Sequence, residues 1–401
     1  MPTILQINVA CNCGSTGRIA EQIGVLAQKN GWDSYIAHGA RYVNESRLHS
    51  IQVSSSTIEK VHWLKSMLLD QHGLGSIWST RVFLKEIDRI HPDIVHLHNI
   101  HGYFINYEIL FKYLNTSKIP VVWTLHDCWP FTGHCMYFDS VNCDRWKIKC
   151  FSCPQKHDYP ESLFIDRSYK NYTLKKELFT SLPNIVFVPV SQWLEDLVKG
   201  SFLRMYKTNV IHNGIDLNVF RPNQSSGNDG VFRILGIGNS LVGRKGLTDI
   251  IKLKEKLKFK CQITLLGLSS KDIGNLPAGI IGVSRTNSQE ELSRIYSNAD
   301  VFVNPTYEDN FPTTNIEALA CGTPVITYRT GGSPEAIDEN TGIVVEKGDI
   351  DGLVEAIETM RVNGKQKYSQ ACRKRAERLF NKDDRFEDYI ELYNNIISIT
   401  K

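Results

Sequence analysis

Two hydrophobic patterns alternate along the chain of 401 residues. Short apolar runs rich in Val and Ile predict buried strands, and the stretches between them, with apolar residues three or four positions apart, predict helices. This alternation is typical of parallel sheets covered by helices. The predicted strands are 4–9, 34–38, 94–98, 121–126, 185–190 and 209–211 in the first half, and 232–236, 262–266, 280–283, 301–303, 325–327 and 343–345 in the second.

The chain is long enough for two domains of this kind. We expect an α/β fold of two Rossmann-like domains facing a cleft, with ligands at the carboxyl ends of the strands. Residues 1–216 would form the first domain, and residues 231–380 the second, which would bind the nucleotide. The segment 217–230, rich in Asn, Ser and Gly, is typical of a linker.

The most informative stretch runs from residue 301 to residue 328, where a predicted strand, an acidic loop, a helix and a second strand follow one another. We place Pro312 in the first turn of the helix, where its missing N–H is not needed. The N–H groups of Phe311, Thr313 and Thr314 are then free to bind an anion at the positive end of the helix.

Two carboxylates flank this predicted anion site. Asp309 precedes the helix start, and Glu317 lies about one turn further along the helix. A phosphate site between two carboxylates suits a sugar joined to a nucleotide diphosphate, because one carboxylate can bind sugar hydroxyls and the other the ribose. The pattern therefore favours an enzyme that uses nucleotide sugars.

The same block resembles the family 4 retaining glycosyltransferases, which have the GT-B fold. The family pattern has two Glu separated by seven residues, then Ala-x-Ala-x-Gly-x-Pro-Val and later Gly-Gly-x-Pro-Glu. The matching residues here are Ala318, Ala320, Gly322, Pro324, Val325, Gly331, Gly332, Pro334 and Glu335. Seven residues separate Asp309 from Glu317, and Glu308 is one position earlier, so either acid is a candidate for the sugar contact.

This resemblance implies that a sugar moves from a nucleotide-diphosphate donor to a hydroxyl acceptor with retention of configuration and without a catalytic metal. The acceptor implied is a lipid-linked or saccharide intermediate of surface polysaccharide. The protein would then be cytoplasmic or peripheral at the inner face of the membrane. The resemblance also implies that the helical segment 381–401 crosses back to the first domain.

Two basic residues follow the first strand of the second domain. Arg244 and Lys245, in a turn bounded by glycines, are candidates to bind the donor diphosphate, whose growing charge must be stabilised as it leaves. The family usually has an Arg about five residues before the Lys, where this chain has Asn239 and Ser240.

In the first half, Gly14 and Gly17 lie in a glycine-rich turn between a strand and a helix, which lets a backbone approach a ligand. His126 ends a predicted strand, where the family has a His-Asp pair, and is our candidate for contact with the reacting sugar. Its competitors His96 and His98 also end a strand, and Asp127 either orients His126 or caps the next loop.

Four cysteines follow within an insertion at about residues 128–155. Cys135, Cys143, Cys150 and Cys153, the last two as C-x-x-C, predict a tetrahedral structural zinc site, with Cys128 and His134 as substitute ligands. Scattered buried thiols and disulfides are the alternatives. We expect no catalytic role for this zinc.

The net charge and the hydropathy of the chain limit which partners it can bind. A net charge of +3 is too small to favour nucleic acid, and we expect neither a membrane span nor a signal peptide. The segment 61–69 is amphipathic, with Lys60 and Lys65 nearby. It predicts either peripheral contact with a membrane surface or a helix that packs its apolar face on its own sheet.

Two other functions stay open. One is another GT-B enzyme, such as a nucleotide-sugar epimerase, which needs no acceptor, or a phosphorylase, which needs inorganic phosphate. The other is a catalytically inactive, zinc-stabilised scaffold, which the altered first acid and the missing upstream Arg leave open.

Overall fold

The computed structural model describes residues 1–223, 230–238 and 243–400. The chain divides into two compact units, Met1–His212 with Phe386–Lys401 and Asn213–Arg385. The predicted linker 217–230 falls inside the second unit, and its residues 224–229 lie outside the described residues, as do Asn239 and Ser240.

The first unit is built on a parallel sheet. Its strands are β1 Thr3–Ile7, β2 Asp33–His38, β3 His49–Gln52, β4 Ile94–Leu97, β5 Val121–Leu125 and β6 Ile185–Pro189, in the order β3-β2-β1-β4-β5-β6. Its helices are α1 Gly14–Lys29, α2 Ser56–Leu69, α3 Ile77–Ile90, α4 Tyr107–Ser117, α5 Ser168–Phe179 and α6 Gln192–Gly200. The central strands β4 and β5 are buried throughout, as their continuous apolar runs predict.

The second unit repeats this architecture. Its strands are β7 Phe232–Ile237, β8 Cys261–Leu266, β9 Ile280–Val283, β10 Val301–Asn304, β11 Val325–Tyr328 and β12 Gly342–Val345, in the order β12-β11-β10-β7-β8-β9. Its helices are α7 Leu247–Lys256, α8 Ser270–Gly274, α9 Gln289–Asn298, α10 Thr313–Ala320, α11 Ile350–Asn363 and α12 Gln366–Leu379. The change of strand order beside β7 and β10 marks the edge where ligands bind in such sheets.

The last helix, α13 Lys382–Thr400, begins in the second unit and belongs to the first from Phe386 onward. There Phe386, Tyr389 and Tyr393 share a buried cluster with Trp32 of the first unit. No helix in the described parts of the chain is both long and apolar enough to cross a bilayer.

One predicted strand is absent from the described structure, and one observed strand was not predicted. The predicted strand 209–211 is wrong: Asn209 and Ile211 donate backbone hydrogen bonds to β6 at 3.0 and 3.2 Å, but the segment forms no ladder. The sequence did not predict β3, because His49–Gln52 is a mostly exposed edge strand without an apolar pattern.

Candidate active site

The loop between β10 and α10 is held by two close backbone approaches. Gly246 has φ +64°, and a Cβ there would lie 1.9 Å from the carbonyl oxygen of Pro305. Gly331 has φ +53°, and a Cβ there would lie 1.8 Å from the carbonyl oxygen of Asp309. Only glycine fits these positions, so both neighbouring turns fix the path of the loop.

In this loop Asp309 meets Lys245, which belongs to the turn between β7 and α7. Their Nζ and Oδ2 atoms are 2.5 Å apart, and the side chains are 26% and 15% exposed. The other oxygen of Asp309 accepts the N–H of Asn310 at 2.9 Å. We predicted separate roles for these two residues from the sequence, and the structure joins them in one ion pair.

The helix α10 begins at Thr313 and not at Pro312. Pro312 is the N-cap residue, with φ −66°, so our placement of it in the first turn is wrong by one position. Phe311 is buried against Phe380, with ring centroids 5.7 Å apart. The N–H groups of Thr313 and Thr314 open the helix and have no protein partner among the described residues, so they remain available for an anion.

Glu317 is held by a buried tyrosine. The Tyr296 hydroxyl donates to Glu317 Oε2 at 2.8 Å. Burial and the neighbouring Glu317 carboxylate raise the pKa of Tyr296 well above its ordinary value, so it stays a donor at physiological pH. Glu308 is buried, whereas Asp309 is half-buried. Of these two adjacent acids, Asp309 is the more accessible to a ligand.

Arg244 and Lys245 differ in their surroundings. Arg244 has an exposed side chain, but its backbone carbonyl accepts the N–H of Tyr307 at 2.6 Å and the hydroxyl of Thr306 at 3.1 Å. The turn that carries Lys245 is thereby tied to the loop that carries Asp309. The position of Lys245 therefore depends on the hydrogen bonds that the backbone carbonyl of its neighbour Arg244 accepts.

In the first unit, Gly14 and Gly17 have different reasons to be glycine. Gly14 starts α1 with φ +65° and has open space where a Cβ would be. A Cβ on Gly17 would lie 3.2 Å from the Cβ of Ala10, so Gly17 lets α1 pack on the loop after β1. Only Gly14 has the surrounding space that a ligand would need.

His126 is paired with His98 and not with Asp127. His98 Nδ1 lies 3.2 Å from His126 Nε2, and His98 Nε2 lies 3.0 Å from Gln6 Oε1. Because the amide of Gln6 donates to Ala20 O, its Oε1 must accept from His98. His98 Nδ1 then accepts, and His126 donates through Nε2. This series of hydrogen bonds leaves His126 Nδ1 as an acceptor without a partner among the described residues.

The competing histidines are buried. His96 is 0% and His98 1% exposed, while His126 is half-buried. His96 binds the Tyr393 hydroxyl of α13 at 2.6 Å and the hydroxyl of Thr124 at 2.8 Å. His126 is therefore the member of this group that a substrate can reach.

Burial controls the protonation of these histidines. It lowers the pKa of His126 to about 4, with Asp127 opposing the shift and His101 adding to it. Burial also lowers the pKa values of His96 and His98 well below 6.5. Near pH 7 the three rings are neutral, and His126 offers a lone pair and not a proton.

A second buried pair was missed from the sequence. His101 Nε2 lies 2.8 Å from Asp127 Oδ2, and the other oxygen of Asp127 accepts the N–H of Trp129 at 2.9 Å. Burial alone would raise the pKa of Asp127, but the charge and hydrogen bond of His101 lower it overall. Asp127 thus caps the following loop, as one of our two alternatives proposed. Its histidine partner comes from the loop after β4, and no local spacing indicated this.

The Cys-rich insertion packs into the core of the first unit. Its Phe138 and Trp146 stack with ring centroids 4.9 Å apart and join the main buried cluster. Lys175 of α5 is buried beneath it and donates to the carbonyls of Trp129 at 2.7 Å and Thr132 at 3.1 Å. Burial lowers the pKa of Lys175 to about 7. The sequence did not predict this lysine, because it lies within an ordinary helical pattern.

The four predicted zinc ligands are only partly gathered. Cys135 and Cys153 are hydrogen-bonded, and Cys150 Sγ accepts the N–H of Gly133 at 3.2 Å. Through the whole described chain, no group of three or more His, Cys, Asp or Glu is placed to hold a metal ion, and all the cysteines are free thiols. The zinc site stays a prediction.

Two family models match the chain. One, described as Glycosyltransferase Family 4, matches residues 28–219, and the other, described as Glycosyl transferases group 1, matches residues 232–363. A related sequence is the colanic acid biosynthesis glycosyl transferase WcaC of Escherichia coli K12. It is 24% identical, and the alignment covers 98% of this chain and 100% of WcaC.

Solved structures share the fold. Sucrose-phosphate synthase from Thermosynechococcus elongatus superposes with a TM-score of 0.74 at 18% identity over 100% of both chains. HepE of Anabaena, solved in complex with UDP, has a TM-score of 0.65 at 13% identity over 98% of this chain and 100% of its own. The two matched models together span most of the chain, and each of its two units is a six-stranded parallel sheet with flanking helices, as in the GT-B glycosyltransferases. The chain therefore belongs to the family 4 glycosyltransferases and has the GT-B fold.

Proposed function

We propose that this glycosyltransferase moves a sugar from a nucleotide-diphosphate donor to a hydroxyl of a lipid-linked or saccharide intermediate of surface polysaccharide, with retention. The observation that carries the proposal is the ion pair between Lys245 and Asp309. Asp309 lies four residues before the start of α10. The ion pair ties an ammonium group to the loop that leads into α10, whose first two N–H groups lack partners in the described chain. That combination suits a diphosphate.

The donor would bind by exchanging partners with this ion pair. The diphosphate takes Lys245 and the N–H groups of Thr313 and Thr314, and Asp309 is released toward the sugar hydroxyls. Glu317, already oriented by Tyr296, binds the ribose. His126 accepts a hydroxyl of the reacting sugar through its neutral Nδ1.

In the transfer step, the bond from the anomeric carbon to the diphosphate oxygen breaks, and the acceptor oxygen bonds to that carbon on the same face. The acceptor proton passes to the departing phosphate oxygen. Lys245 and the α10 N–H groups stabilise the charge that develops on the diphosphate. No side chain has to act as a nucleophile in this route.

The acceptor class rests on the relatives. WcaC is named for colanic acid biosynthesis, and HepE is solved with UDP. These names support a uridine nucleotide sugar as the first donor to test and a polysaccharide intermediate as acceptor.

The test is calorimetry and thermal shift with UDP, GDP and their sugars on the wild type, Lys245→Ala and Lys256→Ala. Lys256 is the control: it lies on α7 and pairs with Asp351. A ligand at a hundred times its dissociation constant should stabilise the fold by about 2.7 kcal/mol. We expect this shift in the wild type and Lys256→Ala and its loss in Lys245→Ala. No shift with any nucleotide would contradict the proposal.

Turnover separates the rival functions. Product that forms only when a polysaccharide intermediate is added supports the transferase. Conversion of the sugar nucleotide alone would identify an epimerase, and dependence on inorganic phosphate a phosphorylase. A scaffold would keep its cellular role when Asp309 and Glu317 are both replaced by Ala.

The zinc prediction has its own test. We propose that Cys135, Cys143, Cys150 and Cys153 hold one structural zinc ion per chain, which the hydrogen-bonded Cys135 and Cys153 thiols support. Elemental analysis of protein purified without chelator should then give one equivalent, and Cys143→Ser should lower it. Protein without zinc that keeps the same melting temperature would refute this.

A further inference from the structure

The helix α2 has its polar side chains inside and its apolar side chains outside. Glu59, His62 and Ser66 are buried at 1–2% exposure. Val61, Leu64 and Leu68 are 64%, 45% and 36% exposed. This reverses the pattern of a helix that packs on its own sheet, so the second of our two alternatives for segment 61–69 is wrong.

Hydrogen bonds fix this orientation. His62 Nδ1 lies 2.6 Å from the carbonyl oxygen of Tyr103, and His62 Nε2 accepts the N–H of Gly75 at 2.9 Å. Glu59 accepts the hydroxyl of Ser54 at 2.8 Å. Rotating the helix to bury its apolar side would break these bonds and leave buried polar groups unpaired. The exposed apolar side is therefore built into the fold.

The neighbouring helix α3 continues the apolar surface. In its first two turns Ile77, Trp78 and Val82 are 43%, 72% and 41% exposed. The loop after the Cys-rich insertion adds Phe164, which is 72% exposed, and it is tied to α2 by the Leu163 N–H, which donates to Met67 O at 2.9 Å. We call these exposed side chains of α2, α3 and the 163–165 loop the apolar face.

The charges that α2 and α3 place beside the apolar face are mainly basic, whereas the acids Glu161 and Asp166 flank its 163–165 loop. Lys60 and Lys65 lie on α2, and Arg81 and Lys85 on α3. The one acidic residue of α2, Glu59, is buried, and the first acid of α3, Glu86, pairs with Arg89. A surface of exposed tryptophan and aliphatic side chains edged by unneutralised cations matches the interface of a bilayer with anionic headgroups.

A groove adjoins this face. It has a volume of about 780 Å³ between α2, α3, α4 and α5, and Lys65, Ile77, Arg81 and Arg167 are among its lining residues. The Nε of Arg167 is buried and lacks a hydrogen-bond partner in the described structure. Ile77 belongs to both the groove and the apolar face, and Lys65 lines the groove beside that face, so an anionic headgroup could enter the groove while its chains meet the apolar face.

We propose that the apolar face docks the protein on the surface of a membrane that contains anionic phospholipid. This deepens the proposed function, because it rests on a lipid-linked acceptor being presented at that membrane. Apolar contact and charge attraction both contribute, and neither alone gives stable binding.

The test is flotation with vesicles of phosphatidylcholine alone and of phosphatidylcholine with phosphatidylglycerol at about 3:1. The variants are Leu64→Ser/Trp78→Ser for apolar contact and Lys60→Gln/Arg81→Gln/Lys85→Gln for charge. The controls are Met205→Ser, which replaces an 85% exposed side chain elsewhere in the first unit, and Lys29→Gln/Lys118→Gln, each with one substitution fewer than the variant it accompanies.

We expect the wild type and controls to float with the anionic vesicles only. The apolar variant should bind at least tenfold more weakly, and the charge variant about a hundredfold more weakly, since each cation near such a surface contributes about a fivefold factor. Emission of Trp78 should shift to the blue on binding.

Absent binding to anionic vesicles, or unchanged binding by the apolar variant, would overturn the proposal. A wild type that dimerises through this face, with a monomeric Leu64→Ser/Trp78→Ser variant, would also overturn it and assign the face to self-association. Nucleotide binding in solution separates the two proposals: vesicle binding without nucleotide binding refutes the proposed function alone. Nucleotide binding without vesicle binding refutes the docking alone.

Discussion

The two units place their candidate residues in different ways. In the second unit, Lys245, Asp309 and the start of α10 all come from turns at one edge of a sheet. In the first unit, the position of His126 depends on hydrogen bonds through His98 to Gln6. The neighbouring His96 is hydrogen-bonded to Tyr393 of α13, which is far away in the chain. All twelve histidines of the protein stand at or before His212, so the second unit has none. A site built from adjacent turns can be found by motif, whereas one built from distant elements cannot.

Acidification should affect the two units unequally and gives the largest expected effect. Burial lowers the folded pKa of His62 from 6.5 to about 4, and His72, His96 and His98 also lie well below 6.5. The unfolded chain therefore binds more protons, and stability is lost as pH falls from about 6.5 toward 4. For His62 alone the loss at pH 5 is about 2 kcal/mol.

Hydrogen exchange followed by mass spectrometry at pH 7 and pH 5, corrected for intrinsic rates, measures this effect. We expect the opening free energy to fall in the first unit and to change little in the second. The pKa of His134 is raised by Asp70, despite its burial, and this opposes the trend in part. An equal loss of opening free energy in both units would show that the buried histidines of the first unit are not the cause.

Lys245→Ala tests the second unit. Removing a cation that stabilises a leaving diphosphate should lower kcat/KM by about 10²- to 10³-fold. Steady-state assays with the donor identified by calorimetry measure it, and Lys256→Ala should stay near wild type. A Lys245→Ala enzyme with full activity would show that the ion pair with Asp309 is structural only.

Gly331→Ala tests how far the loop depends on its neighbour. The substituted residue would need φ +53° and would place its Cβ 1.8 Å from Asp309 O, so the loop must move. We expect a loss of about 2 kcal/mol in the free energy of unfolding and weaker donor binding. Gly279→Ala is the control, with φ +85° but its nearest contact at 3.5 Å. Chemical denaturation should show a loss of about 1 kcal/mol in the free energy of unfolding for the control. Equal losses in the two variants would mean that backbone strain alone, and not the contact with Asp309, destabilises the protein.

Tyr393→Phe should have the smallest effect. It removes the hydroxyl that lies 2.6 Å from His96 and leaves that buried nitrogen unpaired, at a cost of about 1 kcal/mol. Tyr113→Phe removes an exposed bond to Asp88 and should cost less. Urea denaturation measures both, and equal costs would argue against a special role for the α13 contact in the histidine network.

Local sequence patterns predicted much of the fold and several individual residues of the candidate site, but not the contacts between them. The buried strands β4, β5 and β10 were predicted because their apolar runs are short and continuous, and α10 because a proline and a Gly-rich turn bound it. The exposed strand β3 has no such pattern. Asp309 and Lys245 were found separately, and their pairing was not, because residues 64 positions apart carry no spacing signal.

The sequence by itself determined the family, the alternation of strands and helices, and the residues near the start of α10, because these follow from periods and motifs within one strand–helix unit. Tertiary structure alone decided which histidine stays accessible and which side of α2 faces out. It also decided that Lys245 pairs with Asp309 and that His101 pairs with Asp127. Those choices depend on hydrogen bonds between elements far apart in the chain, such as His62 with Tyr103. A helix with one apolar side can satisfy its own backbone in either orientation, so only its partners decide the outcome.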